Sequence, residues 1–130
     1  MDTQFGFGKA VNLGFDKAIE TVTEELGKEG FGVLTEIDVS ATMKKKLDED
    51  MPPYRILGAC NPALAHQAVS AVPEIGLLLP CNVLVREEAD GQVRVSFMDP
   101  ESVLGLVDHP GVAPLAVQVK EKLQRVLAAL

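Results

Sequence analysis

Apolar residues recur at helical spacing in two long segments near the ends of the chain. Across residues 13–30 they fall at Phe15, Ala18, Ile19, Val22 and Leu26, with charged residues between them. This pattern predicts an amphipathic helix that buries one stripe. Gly30 suits the position just past the helix end, where a left-handed backbone costs glycine little. A second stripe, at Leu115, Val119, Leu123, Val126 and Leu130, predicts a closing helix.

Alternating apolar and polar residues predict strands between these helices. The stretch FGVLTEIDV predicts a half-buried strand, with one face formed by Phe31, Val33, Thr35, Ile37 and Val39. The stretch YRILGAC follows Pro52-Pro53 and predicts a second strand. VLVREEADGQVRVSF predicts two strands joined at Asp90-Gly91, a pair of residues favoured in hairpin turns. TQFGFGKAV, near the start of the chain, predicts a first strand.

Shorter helices are predicted between the strands. Ser40 can cap a helix that runs through Leu47, and Pro100 and Pro110 bracket a short irregular or helical piece. Strands joined partly by helices and partly by a tight turn favour an α+β fold, with a mostly antiparallel sheet of about four or five strands and helices on one face. A parallel sheet is the weaker alternative. We expect residues 1–130 to form a single domain.

The chain has two cysteines, and each is followed by an asparagine. In LGACNPAL, Asn61 is predicted to cap a helix whose first residue is Pro62 and which Pro73 ends. In LLLPCNVLV, Pro80 has no N–H to donate to a sheet, so Cys81 is predicted to begin the strand. We therefore expect both cysteines at the ends of adjacent strands, close together, reduced and mainly buried.

Asn82 is a polar residue in an otherwise apolar strand. A buried amide without partners would cost about 1–3 kcal/mol. We interpret Asn82 as a latch that hydrogen-bonds loose backbone at the strand entry, with a pocket-lining role as the alternative.

Cys60, Asn61, Cys81 and Asn82 form the candidate ligand-binding site. Free amides at the start of the helix after Asn61 favour a module that binds a small ligand or an anion. A structural or partner-binding subunit is the second hypothesis. A thiol-dependent redox or sulfur-chemistry enzyme using Cys60 or Cys81 is the third, because the sequence has no Cys-x-x-Cys pair and no evident base. We assign no catalytic residue.

A metal site is a further possibility that the spacing of the residues disfavours. Cys60, Cys81, His66 and His109 could supply four zinc ligands. Structural zinc sites usually bring their ligands in close pairs, and the two cysteines here are 21 positions apart. We expect no metal and no other cofactor.

Composition and charge narrow the range of partners. The net charge of -7, from 19 acidic against 12 basic residues, argues against nucleic acid or an anionic membrane as the main partner. No apolar stretch approaches membrane-spanning length, so we expect a cytoplasmic protein with reduced cysteines. A mean hydropathy of +0.16 and the uncovered edge or face of an open sheet favour a homodimer.

Four stretches of the chain together resemble a known family. KEGFGVLTEIDV, YRILGACNPALA, IGLLLPCNVLVRE and DGQVRV are similar to domain of unknown function 302, a group of uncharacterised bacterial and archaeal proteins. The resemblance runs from about Phe15 to about Pro100. It implies a curved antiparallel sheet with packed helices, like the TATA-binding-protein class, and association into dimers. It implies no DNA binding, because fold does not fix function, and no catalytic residue.

Overall fold

The computed structural model describes residues 2–130. Within that range five strands form one antiparallel sheet in the order β1-β5-β4-β3-β2. The strands are β1 (Gly6–Val11), β2 (Gly32–Asp38), β3 (Tyr54–Cys60), β4 (Cys81–Glu87) and β5 (Val93–Met98). The helices are α1 (Phe15–Lys28), α2 (Val39–Leu47), α3 (Pro62–Ala71), α4 (Pro100–Leu104) and α5 (Ala113–Ala128), with a 3₁₀ helix at Pro73–Leu78. The predicted α+β class and antiparallel sheet are confirmed.

Helices α1 and α5 pack on one face of the sheet and form the main hydrophobic cluster. Ala18, Val22 and Leu26 of α1 are fully buried there. They meet Val119, Leu123 and Val126 of α5 and the inward side chains of β3, β4 and β5, including Leu57, Val83, Val85, Val95 and Phe97. Both amphipathic stripes predicted from the sequence are therefore buried against the sheet, where apolar burial contributes about 25 cal/mol per Å².

A second hydrophobic cluster lies beside the first. Its buried members come from α3, the 3₁₀ helix, α4 and the start of α5, and are Ala68, Ile75, Leu104, Val112, Leu115 and Ala116. Helix α5 thus contributes its first turns to this cluster and its later turns to the main one. Leu64 of α3 packs against both clusters, so the border between them lies beside the start of α3, next to Cys60 and Asn61.

The prediction of a single alternating face on β2 is wrong. Val33 lies opposite Ala59 and Thr35 lies opposite Gly58, so one extra residue is inserted between them. This bulge reverses the alternation, because the chain advances two residues along β2 where it advances only one along β3. Val33 packs toward the helices, while Ile37 pairs with Ile56 on the other face and is 50 % exposed.

The predicted cap of α2 is also wrong by two residues. The helix begins at Val39, and Asp38 rather than Ser40 caps it by accepting a hydrogen bond from the Ala41 N–H at 2.9 Å. Ser40 donates its hydroxyl to Asp38 Oδ1 at 3.0 Å. These donors, with the Arg55 guanidinium, lower the pKa of Asp38. Aspartate and serine are comparably good helix caps, so residue type alone does not decide between Asp38 and Ser40.

The two glycines predicted at a helix end and in a hairpin turn both have positive φ. Gly91 has φ +88° in the hairpin between β4 and β5, and Gly30 has φ +85° just after α1. The hairpin at Asp90-Gly91 and the end of the first helix are therefore confirmed. Glycine suits both positions because other L-residues rarely adopt this conformation.

Candidate ligand-binding site

The ends of β3 and β4 bring the two cysteines together. Cys60 is the last residue of β3, Cys81 is the first residue of β4, and Ala59 lies directly opposite Cys81. Both cysteines are free thiols; Cys81 is buried at 6 % exposure and Cys60 is half-buried. The prediction that the cysteines meet at the ends of adjacent strands is confirmed.

Asn61 connects the end of β3 to α3 and to the end of α1. Its Oδ1 accepts a hydrogen bond from the Leu64 N–H at 3.4 Å, and Pro62 is the first residue of the helix, as predicted. Its Nδ2 donates to the backbone carbonyl of Glu29 at 3.4 Å. A side chain at Gly30 would approach that amide to 3.1 Å, so the turn after α1 and the start of α3 fit closely together.

The first turn of α3 offers fewer free amides than the anion hypothesis needs. Pro62 has no N–H, the Leu64 N–H is bonded to the Asn61 side chain, and the Ala65 N–H donates to the Asn61 carbonyl at 2.8 Å. Within residues 2–130, this leaves Ala63 as the one unbonded amide of the turn. A helix start with a single free donor is a weak anion site.

A cavity of about 280 Å³ lies between the two hydrophobic clusters, and we call it the cysteine cavity. Cys60, Asn61 and Cys81 line it at the sheet end, together with apolar residues from α3 and α5: Leu64, Ala65, Ala68, Leu115 and Val119. Among the described residues that line it, none is acidic, basic or a histidine. Leu34, which is 66 % exposed, lies where the cavity meets solvent.

The electrostatics of the cysteine cavity keep Cys81 neutral. Burial raises the pKa of the Cys81 thiol to about 11, and the nearby Cys60 adds to the rise. Because the cavity lining has no base to take the proton, Cys81 is a poor source of thiolate near neutral pH. The pair can therefore contact an apolar molecule, but the geometry gives Cys81 no means of activation.

Asn82 lies away from the other three candidate residues. It is exposed, opposite Gly58 of β3, on the sheet face opposite α1 and α5, which we call the far face. Its side chain makes no hydrogen bond within residues 2–130, so the latch interpretation is wrong. The reason is the strand geometry: Cys81 faces the helices, and the next residue of a strand must face the other way.

Sequence analysis missed two arginines on the far face. Arg86 of β4 and Arg94 of β5 are directly opposite in the sheet register. Together with Asn82 they line a second cavity, of about 440 Å³, which we call the far-face cavity. The position of the two arginines could have been predicted from the hairpin, because pairing its two strands around Asp90-Gly91 places them on one face.

The described residues contain neither a membrane-spanning helix nor a cluster of metal ligands. No helix within residues 2–130 is both long and apolar enough to cross a bilayer. In the same range, no group of three or more His, Cys, Asp or Glu side chains is arranged to hold a metal ion.

Comparisons with known proteins agree with the fold. Residues 7–130 match a family model described as "Domain of unknown function DUF302". A solved structure, that of an uncharacterized conserved DUF302 protein from Bacillus stearothermophilus, superimposes with a TM-score of 0.90 at 28% sequence identity. The alignment covers 98% of each chain. No curated protein matches the chain.

Proposed function

The chain belongs to the DUF302 family, to which no function is assigned, and from its geometry we propose that it is a binding module for a small, neutral, apolar ligand. The observation that carries the proposal is the cysteine cavity, about 280 Å³ of space walled by apolar side chains between two hydrophobic clusters. Dry apolar cavities of a smaller size bind benzene and xenon in other proteins.

The lining of the cysteine cavity supports a neutral ligand rather than an anion. Binding pockets are commonly apolar with a small number of placed polar groups. Here Asn61 and the thiols of Cys60 and Cys81 are the polar groups, and none of the lining residues described is basic. An anion would have to give up its hydration with one free amide in return, which is a poor exchange.

Benzene is a direct probe of this proposal. We expect benzene to raise the melting temperature of the native protein and to shift NMR signals of residues lining the cysteine cavity. Ala65→Leu, which fills the cavity from α3, should abolish both effects. Ser70→Leu is the matched control, because Ser70 is exposed on the same helix and lies outside the cavity lining. Absence of a saturable response in the native protein would leave the structural or partner-binding subunit as the better hypothesis.

A homodimer is the second part of the proposal. Strand β2 is an edge of the sheet, and it exposes Leu34 and Ile37 to 66 % and 50 %. An unpaired edge with exposed apolar side chains is a surface that proteins usually cover. Light scattering should give twice the chain mass of 13.9 kDa, and Ile37→Glu should reduce it toward the monomer. A wild-type protein that stays monomeric at micromolar concentration would refute this part.

We also propose that residues 1–130 form one domain and that the protein is cytoplasmic. Helix α5 contributes to both hydrophobic clusters, so the two should unfold together. Calorimetry should therefore give a single cooperative transition. The cytoplasmic location is supported by the two free thiols, since the cytosol keeps cysteines reduced.

A further inference from the structure

The far-face cavity differs in chemistry from the cysteine cavity. It lies between residues of β4 and β5 and the turn that precedes β1, and it measures about 440 Å³. Phe5, Leu84 and Met98 supply apolar walls. Arg86 and Arg94 supply positive charge in a chain whose net charge is -7.

The pairing of these two arginines across the sheet is unfavourable by itself. They are cross-strand partners, and like charges directly opposite each other destabilise a sheet. One carboxylate, that of Glu88, serves both, with distances of 3.5 Å to Arg86 Nη2 and 3.7 Å to Arg94 Nε. Together, the two arginines and Glu88 carry a net charge of +1.

Arg94 in particular has unbonded donors, because its one ion-pair contact, from Nε to Glu88, is long at 3.7 Å. Its side chain is 14% exposed, and its guanidinium nitrogens remain accessible from the cavity. Within residues 2–130 neither arginine side chain donates a hydrogen bond. A guanidinium carries five N–H donors in a fork that matches a carboxylate. A guanidinium that lines a cavity with its donors unbonded fits an anionic group from a ligand.

We infer that the far-face cavity binds a small amphipathic carboxylate, with its carboxylate on Arg94 and Arg86 and its apolar tail along Leu84, Met98 and Phe5. Charge complementarity selects the head group, because Arg binds carboxylates through paired, charge-assisted hydrogen bonds. The apolar walls select the tail, since they would otherwise lie against water. This site is separate from the cysteine cavity and does not depend on the function proposed for it.

Octanoate is the probe that tests this site in the full-length protein. NMR titration should give saturable shifts at β4 and β5, around Leu84, Arg86 and Arg94. Arg94→Gln should weaken octanoate binding by between about tenfold and a hundredfold, the range expected for losing a charge-assisted hydrogen bond. Arg86→Gln should weaken it in the same direction, and serves if the first variant does not fold. Lys17→Gln, which removes an exposed charge from α1, should bind as the wild type does.

Three comparisons separate this site from its alternatives. Octan-1-ol should bind the far face at least about tenfold more weakly than octanoate, because it lacks the charge. Ala65→Leu, which fills the cysteine cavity, should leave octanoate binding unchanged. Inorganic phosphate should bind more weakly than octanoate, because it has no tail.

Several results would overturn the inference. One is equal binding of octanoate by Arg94→Gln and Lys17→Gln. Others are octanoate shifts confined to the cysteine cavity, or phosphate binding as tight as octanoate binding. A dimer that Arg94→Gln dissociates would show that a second copy of the chain covers this face instead.

Discussion

The two Cys-Asn pairs have the same sequence and different structural surroundings. In the first pair, Cys60 ends β3 and Asn61 caps α3. In the second, Cys81 begins β4 and Asn82 continues it. Both cysteines line the cysteine cavity, but Asn61 lies beside them and Asn82 lies on the far face.

The difference follows from where each pair lies relative to its strand. After the last residue of a strand the chain turns, so Asn61 is free to stay on the side of the cysteines. Inside a strand successive side chains alternate, so Asn82 must point away from Cys81. A dipeptide repeated in a sequence therefore does not imply a repeated role, and the position of the strand end decides which residues share a site.

The reactivity of the Cys81 thiol should show the largest effect. In a Cys60→Ala variant, Cys81 should react with dithionitrobenzoate near pH 8 more slowly than a free thiol, by up to about a hundredfold, because burial raises its pKa. The wild-type value of about 11 includes a smaller contribution from Cys60, which this variant removes. Unfolded protein should react at the rate of a free thiol. A native Cys81 that reacts as fast as the unfolded protein would contradict the buried position of Cys81 and bring the thiol-enzyme hypothesis forward.

The stability of the protein at alkaline pH tests the same difference thermodynamically. The folded-state pKa of Cys81 lies above its unfolded value of 9.0, so its contribution to stability is present below pH 9 and is lost as the pH rises toward 11. The loss should be about 2–3 kcal/mol. Lysines titrate in the same range, so the quantity to measure is the free energy of unfolding of wild type minus that of Cys81→Ala.

A difference that does not change between pH 8 and pH 11 would contradict the raised pKa. Cys60→Ala, measured alongside, provides the control for losing a thiol at the neighbouring position. We expect Cys60→Ala to retain most of the alkaline loss that Cys81→Ala lacks, because burial of Cys81 is the larger cause of its raised pKa.

Asn61→Ala should destabilise the protein by about 0.5–2 kcal/mol, the usual range for a lost helix cap. The variant loses the bond from the Leu64 N–H and the bond to the Glu29 carbonyl. Urea denaturation measures the change in the free energy of unfolding. Asn61→Asp restores the capping acceptor without the donor to Glu29, so it should recover part of the loss. An unchanged stability in Asn61→Ala would mean that the cap contributes nothing.

Asn82→Ala should have the smallest effect, within about 0.5 kcal/mol in the same urea experiment. Its side chain is exposed and makes no hydrogen bond within the described residues. A loss as large as that of Asn61→Ala would restore the latch interpretation and remove the contrast between the two pairs.

Most of the fold could be predicted because its signals are local. The stripes of α1 and α5, the turn at Gly91 and the cap at Asn61 each depend on residues a few positions apart. The bulge in β2 could not be predicted, because it depends on how Val33 and Thr35 pair with another strand. The pattern of apolar and polar residues within β2 does not specify that pairing.

The candidate site was predicted in part for the same reason. Three of its four residues meet because strand ends and helix starts are readable from Pro62 and Pro80. Asn82 was misplaced although alternation within β4 was available to place it. The cysteine cavity itself required the packing of α3 and α5 against the sheet, which no local pattern specifies.

A crystal structure of the protein soaked in benzene tests the central claim most directly. The account predicts ordered benzene in the cysteine cavity, in contact with Cys60 and Cys81, and none in crystals of Ala65→Leu. A wild-type cavity that stays empty, or that holds ordered water bound to Asn61, would contradict the proposal that this protein binds a small apolar ligand there.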